Sequence, residues 1–358
     1  MSTLPSSSGL PADALERAER NLGDVLRHAI EHRAEARALV IWDGHSELAL
    51  LLAAAYRRCL PEATFLEFHG SAPPVLDALE RLEPGDLVVL IQSTSFRLDA
   101  FRIRLELFRR SLKVIEHPHL ERMPGAEGGI YVDSLAYDPR YYRGVGHALK
   151  ARIDRARTAV IASGGERLVF AAGLEPAKLN VGDYSAMRNV GGQYPIGEVF
   201  TESRDLEAVS GRVRIALFAA TDYTVARPER PLTLVVERGR VTEVLDTTPG
   251  FERVLAAIRA DEGEVRLREL GFGMNRAFGP ERLVRDVGTL ERMCGVHLSL
   301  GAKHATFDKP EVEKRAARHH VDVFVAEPSV TLDGERVFED GAWRVEPALP
   351  GAPSDVDA

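Results

Sequence analysis

Between positions 295 and 322 the chain carries Gly-Val-His-Leu-Ser-Leu-Gly at 295–301, then His304, then His319-His320-Val321-Asp322. Neutral imidazoles and carboxylates are the donors that divalent metals such as zinc, cobalt, manganese and iron accept. His320-Val321-Asp322 runs on into Val323-Phe324-Val325, a β-branched and aromatic run that reads as a strand. Residues i and i+2 of a strand share a face, so His320 and Asp322 are expected side by side with His319 turned away. Val296, Leu298 and Leu300 alternate with His297 and Ser299, which puts His297 on a second strand. Two such strands as neighbours would add His297 to the His-x-Asp pair. A lone histidine in this setting is usually a hydrogen-bonded core or surface group. Several donors on short segments favour a metal site for the group as a whole.

Two further segments offer carboxylates. The run Gly191-Gly192-Gln193-Tyr194-Pro195-Ile196-Gly197-Glu198-Val199-Phe200-Thr201 sets Glu198 after a turn constrained by Gly and Pro, a good platform for a ligand. Arg268-Glu269-Leu270-Gly271-Phe272-Gly273-Met274-Asn275 sets Glu269 beside a Gly-x-Gly turn. Each is weak alone and gains weight from the other and from 295–322.

These donors need a scaffold. A chain of 358 residues with 45% apolar and 28% charged residues is globular and long enough for two domains. A formal net charge of −8 argues against nucleic acid as the partner, because phosphate binding needs a basic face. Cys59 and Cys294 form no Cys-x-x-Cys motif and are expected as reduced thiols in the cytoplasm. No run approaches the roughly 18 apolar residues of a membrane helix, so no membrane partner is expected. The Ser- and Pro-rich start, residues 1–12, reads as a flexible tail with no signal-peptide pattern.

From residue 13 short apolar strands alternate with amphipathic helices. A helix is expected over 13–33, strands at 38–42, 64–68, 87–91 and 113–116, and helices over 47–59, 75–82 and 98–110. This is the pattern of a parallel sheet covered by helices, an α/β domain over 13–143. The strand ends carry Asp43-Gly44-His45, His69-Gly70 and Ser93-Thr94-Ser95 but no nucleotide fingerprint, and turn or helix-cap chemistry is the better reading. His117-Pro118-His119 reads as a surface turn at least as readily as a metal pair. Gly, Pro, Tyr and charge dominate 118–143, the expected linker. Beyond it, strands at 158–161, 167–170, 213–217, 232–237 and 240–244 follow without helices between them, with a tight hairpin at 236–241. Helices are expected again over 249–261, 280–293 and 310–318. Residues 144–346 thus read as an α+β metal-binding catalytic domain, followed by a flexible tail over 347–358.

The order Tyr-Pro-Ile-Gly-Glu-Val-Phe-Thr, Glu-Leu-Gly-Phe-Gly-Met-Asn, Gly-Val-His-Leu-Ser-Leu-Gly and His-Val-Asp, followed by Thr331-Leu332-Asp333-Gly334 and Glu339-Asp340-Gly341, resembles the aminopeptidase T and aminopeptidase S family of metallo-aminopeptidases. The resemblance covers most of 158–345. It implies that Glu198, Glu269, His297, His320 and Asp322 are ligands of two divalent metal ions, zinc, cobalt or manganese. It further implies metal-assisted hydrolysis of a peptide or related amide, and a homodimer. His304 stands where the family has an active-site tyrosine, and Gln193-Tyr194-Pro195 replaces the usual Asn-Met-Pro. Catalytic roles are accordingly expected for His304 and Glu198, with Glu269 or Asp322 bridging the ions. Two other readings stay open: a ring-cleaving dioxygenase holding one iron(II) on His297, His320 and Asp322, and a non-catalytic binding protein for a peptide or small molecule on the peptidase fold.

Overall fold

The computed structural model describes residues 9–98, 101–304, 306–310, 312 and 317–348. They pack as two compact units, one formed by residues up to Pro139 with Gly182–Ile196, the other by Arg140–Val181 with the residues from Gly197 onward.

In the first unit the apolar runs Ala38–Trp42, Thr64–Glu67, Leu87–Ile91 and Lys113–His117 form a parallel sheet, as their alternation with helices requires. Leu87–Ile91, buried along its whole length, lies near the centre, where both faces of a parallel strand are covered. Thr64–Glu67, with its polar ends, takes one edge. Helices at Ala14–Asp24, Glu47–Cys59 and Ala72–Glu80 match the amphipathic segments, the first continuing into a π-turn at Val25–Ala29. The helix expected over 98–110 starts only at Ile103 and runs to Arg109, since Arg97–Leu98 and Phe101–Arg102 form a short strand pair and residues 99–100 of that helix lie outside the described residues. Ser46 caps Glu47–Cys59 through its hydroxyl, which accepts from the Ala49 N–H at 3.2 Å. Asp43 braces the neighbouring strand ends, accepting from the N–H groups of His45 and Ser93. Asp43 thus does the turn work expected of it.

Three features of this unit depart from the sequence pattern. The expected linker contains a helix, Ala126–Ser134, whose periodicity two glycines mask. Gly191–Gln193 is the fifth strand of the parallel sheet, paired to Val114–Glu116, and no turn for Glu198 is built there. A Cβ at Gly191 would stand 1.9 Å from the Val114 carbonyl oxygen, so only glycine allows that strand to close in. His117 is no surface turn. Its ring is fully buried, with Nε2 2.8 Å from the Tyr56 hydroxyl and Nδ1 2.8 Å from the Tyr131 hydroxyl, and burial pulls its pKa down to about 3.

The second unit is built on a 14-stranded sheet in which every pairing is antiparallel. The architecture is therefore mixed α/β, a parallel sheet with helices in one unit and a large antiparallel sheet in the other. The part that matters for chemistry is the run of neighbouring strands Val321–Val325, Gly295–Leu300, Leu267–Gly273 and Glu198–Glu202. Arg268 to Gly273 thus form no turn. They lie inside a strand, with a β-bulge between Leu267 and Leu270. The helix Pro249–Glu262 appears as expected, capped by Thr248. The expected helix over 280–293 is replaced by irregular chain and one short 3-10 stretch, Val287–Arg292. Residues 311 and 313–316 of the helix expected over 310–318 lie outside the described residues, as do 1–8 and 349–358 of the two expected tails. No helix among the described residues is long and apolar enough to cross a membrane.

Candidate metal centre

Four adjacent strands each deliver one acid or imidazole to the same place. Glu198 opens Glu198–Glu202, Glu269 sits in the bulge of Leu267–Gly273, His297 is central in Gly295–Leu300, and Asp322 is the second residue of Val321–Val325. The bulge is the device that turns Glu269 toward the others. It takes the Glu269 N–H out of the ladder, and that N–H donates instead to the Ser299 hydroxyl at 3.0 Å. The neighbouring Arg268 is led away to a buried ion pair with Glu202.

His297 Nε2 lies 3.3 Å from Glu198 Oε1 and 3.1 Å from Glu269 Oε1. These three residues are buried, and they form one triad whose donor atoms lie within 4.8 Å of one another. Glu269, His320 and Asp322 form a second triad by the same measure. His320 Nε2 stands 3.2 Å from Asp322 Oδ1, as their i, i+2 spacing required, while His319 turns away to Asp261 at 2.6 Å. The His320 ring is oriented from behind, its Nδ1 lying 3.1 Å from the Lys303 carbonyl oxygen. A donated Nδ1–H there leaves Nε2 free as a ligand. His304 joins through Glu269 as well, Nε2 to Oε2 at 2.6 Å, and stacks on Phe307 at a ring-centroid distance of 5.3 Å. All six residues singled out from the sequence therefore belong to one site, with Glu269 at its centre.

Two members had no sequence signal. Glu291 places Oε1 3.8 Å from His320 Nε2, and Arg292 pairs with both Glu198 and Glu291, the latter at 2.8 Å. Both sit in the short 3-10 stretch that was expected to be helix, where no periodicity distinguishes a functional side chain from a surface one. The Glu-Arg dipeptide between Leu290 and Met293 is the only trace of them in the sequence.

The electrostatics follow from packing several acids together out of water. Burial works against a charge on His297, but the hydrogen bonds and charges of Glu198 and Glu269 override it and raise its pKa well above the ordinary value. His320 is raised to about 10, burial being outweighed by Asp322 and then Glu269. Burial would push Glu269 up, yet the hydrogen bonds from His297 and His304 hold it well below the usual carboxylate range. Glu291 goes the other way, raised by desolvation and by the charges of Glu198, Asp322 and Glu269 against the pull of Arg292.

This donor set fits a divalent metal. It combines carboxylates with imidazoles, and one of its buried donor atoms, Asp322 Oδ1, has no hydrogen-bond partner. The 3.2 Å approach of His320 Nε2 to Asp322 Oδ1 is an ion-pair distance without hydrogen-bond alignment. Such a concentration of acid is relieved by a bound cation.

A parallel α/β unit and an antiparallel sheet carrying a carboxylate–imidazole cluster define the class, a mixed α/β protein with a candidate metal centre. Among solved structures the chain is similar to wild-type AmpT from Thermus thermophilus, with a TM-score of 0.56 over 92% of this chain and 99% of that one, at 17% sequence identity. At that identity the likeness is one of fold. No family model and no curated protein matches the chain.

Proposed function

We propose that the protein is a metal-dependent hydrolase of aminopeptidase type, cleaving a peptide or related amide at the cluster around Glu269. The observation that carries this reading is that Glu269 belongs to both donor triads. A carboxylate shared between two ligand sets is what a bridged two-ion site needs. Glu198 and His297 would hold one ion with Glu269, and His320 and Asp322 the other. When bound, such a pair supplies a water acidified toward neutrality and a Lewis acid for the scissile carbonyl.

The chain's own groups do the rest. Arg292 offsets the charge of Glu198 and Glu291 and keeps Glu198 in place. Phe200 and Phe307 flank the His304 ring and keep bulk water off one side of it. His304 Nε2, 2.6 Å from Glu269 Oε2, would hold or pass a proton beside the cluster, at the position where the resemblance places a family tyrosine. The fold shared with AmpT and the resemblance of the four sequence segments to the aminopeptidase T and S family support the same reading. The one-iron alternative draws less support, because His297, His320 and Asp322 do not fall in one triad and Glu269 stands in both.

The test is metal content of chelator-stripped protein reloaded with zinc, cobalt or manganese, followed by hydrolysis of peptides with free N-termini. About two ions per chain, with both metal and hydrolysis lost in Glu269→Ala, is the expected result. One iron per chain together with oxygen uptake on dihydroxylated rings, or no metal at all, overturns it.

A further inference from the structure

We propose that Glu262 is a positioning residue for the second triad: it fixes His320 by fastening together the two chain stems that meet at Lys303 and His319. The inference rests on the two-ion reading above. Glu262 is the last residue of the helix Pro249–Glu262, and its side chain takes no part in either triad. Its carboxylate accepts three backbone N–H groups, from Ala302 on Oε2 and from Arg318 and His319 on Oε1, each at 2.7 Å. Three charge-assisted hydrogen bonds to one carboxylate form a strong and geometrically exacting clamp. Their donors lie on the stem leaving Gly295–Leu300 and on the stem entering Val321–Val325.

The clamp reaches the metal donors through a short route. The Lys303 N–H donates to the His319 carbonyl at 3.0 Å, and the Lys303 carbonyl faces His320 Nδ1 at 3.1 Å. The partner that sets the His320 ring is therefore placed only while the stems stay joined. Asp261, next to Glu262, fastens the side chain of His319 at 2.6 Å. The stem at 302 has a second, independent hold, since Arg268 donates to the carbonyls of Ala302 and Phe307 on either side of His304. The hold of Asp261 on His319 is a side-chain pair open to solvent, whereas that of Arg268 is buried and grips the backbone, so losing Glu262 loosens the 318–320 side more than the 302–307 side. The ligand affected is His320, and the triad affected is Glu269–His320–Asp322.

The test is Glu262→Gln. A glutamine amide keeps the size but turns one accepting oxygen into a donor facing backbone N–H groups. The apo variant is compared with wild type by circular dichroism and thermal melting, then titrated with cobalt(II) while the visible absorption of the bound ion is followed. Wild type taking two ions and the variant taking one tightly, with the second weakened about 10–100-fold, is the expected result. Glu262→Asp, which keeps the charge but falls a methylene short of joining both stems, is expected to do the same and stands in if the glutamine variant does not fold. Two ions bound with wild-type affinity by a folded variant overturn the proposal. Equal weakening of both ions overturns it too, since the effect would then be general. Wild type binding fewer than two ions refutes the two-ion reading first, a result distinct from either.

Discussion

His297 Nε2 lies over the α-carbon of Gly271, so close that a methyl group at position 271 would come within 1.9 Å of it. The two residues face each other directly across the Leu267–Gly273 and Gly295–Leu300 pairing. Glu198 belongs to the strand beyond, so the imidazole reaches it by crossing the intervening strand at the bare position Gly271. A glycine in a strand interior is usually a loss of stability, and here it is the space in which the donors meet.

Gly271→Ala is accordingly expected to damage the site without touching a donor. The obstacle at 271 is rigid strand backbone on one side and a fully buried ring on the other, so His297 must leave its position. Overpacking of this kind costs about 1–3 kcal/mol. Calorimetric melting together with metal titration should show a modest loss of stability beside a loss of one ion by at least about tenfold, in line with disturbed ligand orientation. Unchanged metal binding would show that His297 does not need this path.

The buried pair of Arg268 and Glu202 makes a second prediction. Burial raises the Glu202 pKa, and Arg268 works against that by hydrogen bond and charge. Arg268→Met leaves the acid in the core without its partner and withdraws donors from the Ala302 and Phe307 carbonyls. The cost is expected to be about 3–5 kcal/mol by urea denaturation, while Arg268→Met with Glu202→Leu recovers part of it. No recovery in the double variant would place the loss in the two carbonyls alone.

His117 sets a pH dependence in the first unit. Its folded pKa of about 3 lies below the ordinary 6.5, so between these values the unfolded chain binds a proton that the folded chain does not. Stability from this group is intact above about pH 6.5 and declines as the pH falls toward 3, by at most about 1.4 kcal/mol per pH unit. Denaturation midpoints measured from pH 7 to 4 should fall less steeply in His117→Asn, which does not titrate. A slope equal to that of wild type would assign the acid sensitivity elsewhere.

Much of the site is written in local pattern. Strand periodicity placed His320 beside Asp322 and turned His319 away, because the pleat allows nothing else once 321–325 is extended. Alternation of apolar and polar residues put His297 on a strand in the same way, and the apolar runs with helices between them specified a parallel sheet.

What required the tertiary structure was everything that depends on which strands become neighbours. Glu269 reads as a turn residue beside two glycines, yet it is a bulge residue at the centre of the site, because the bulge exists only against its partner strand. Gly191-Gly192-Gln193 reads as a platform for Glu198 and is an edge strand of another sheet, since pairing over more than seventy residues leaves no local trace. Glu291, Arg292 and Glu262 carry no periodic signature at all. Their roles come from carboxylate, guanidinium and backbone groups brought together across 94, 57 and 40 positions of chain, a proximity decided by sheet order and core packing.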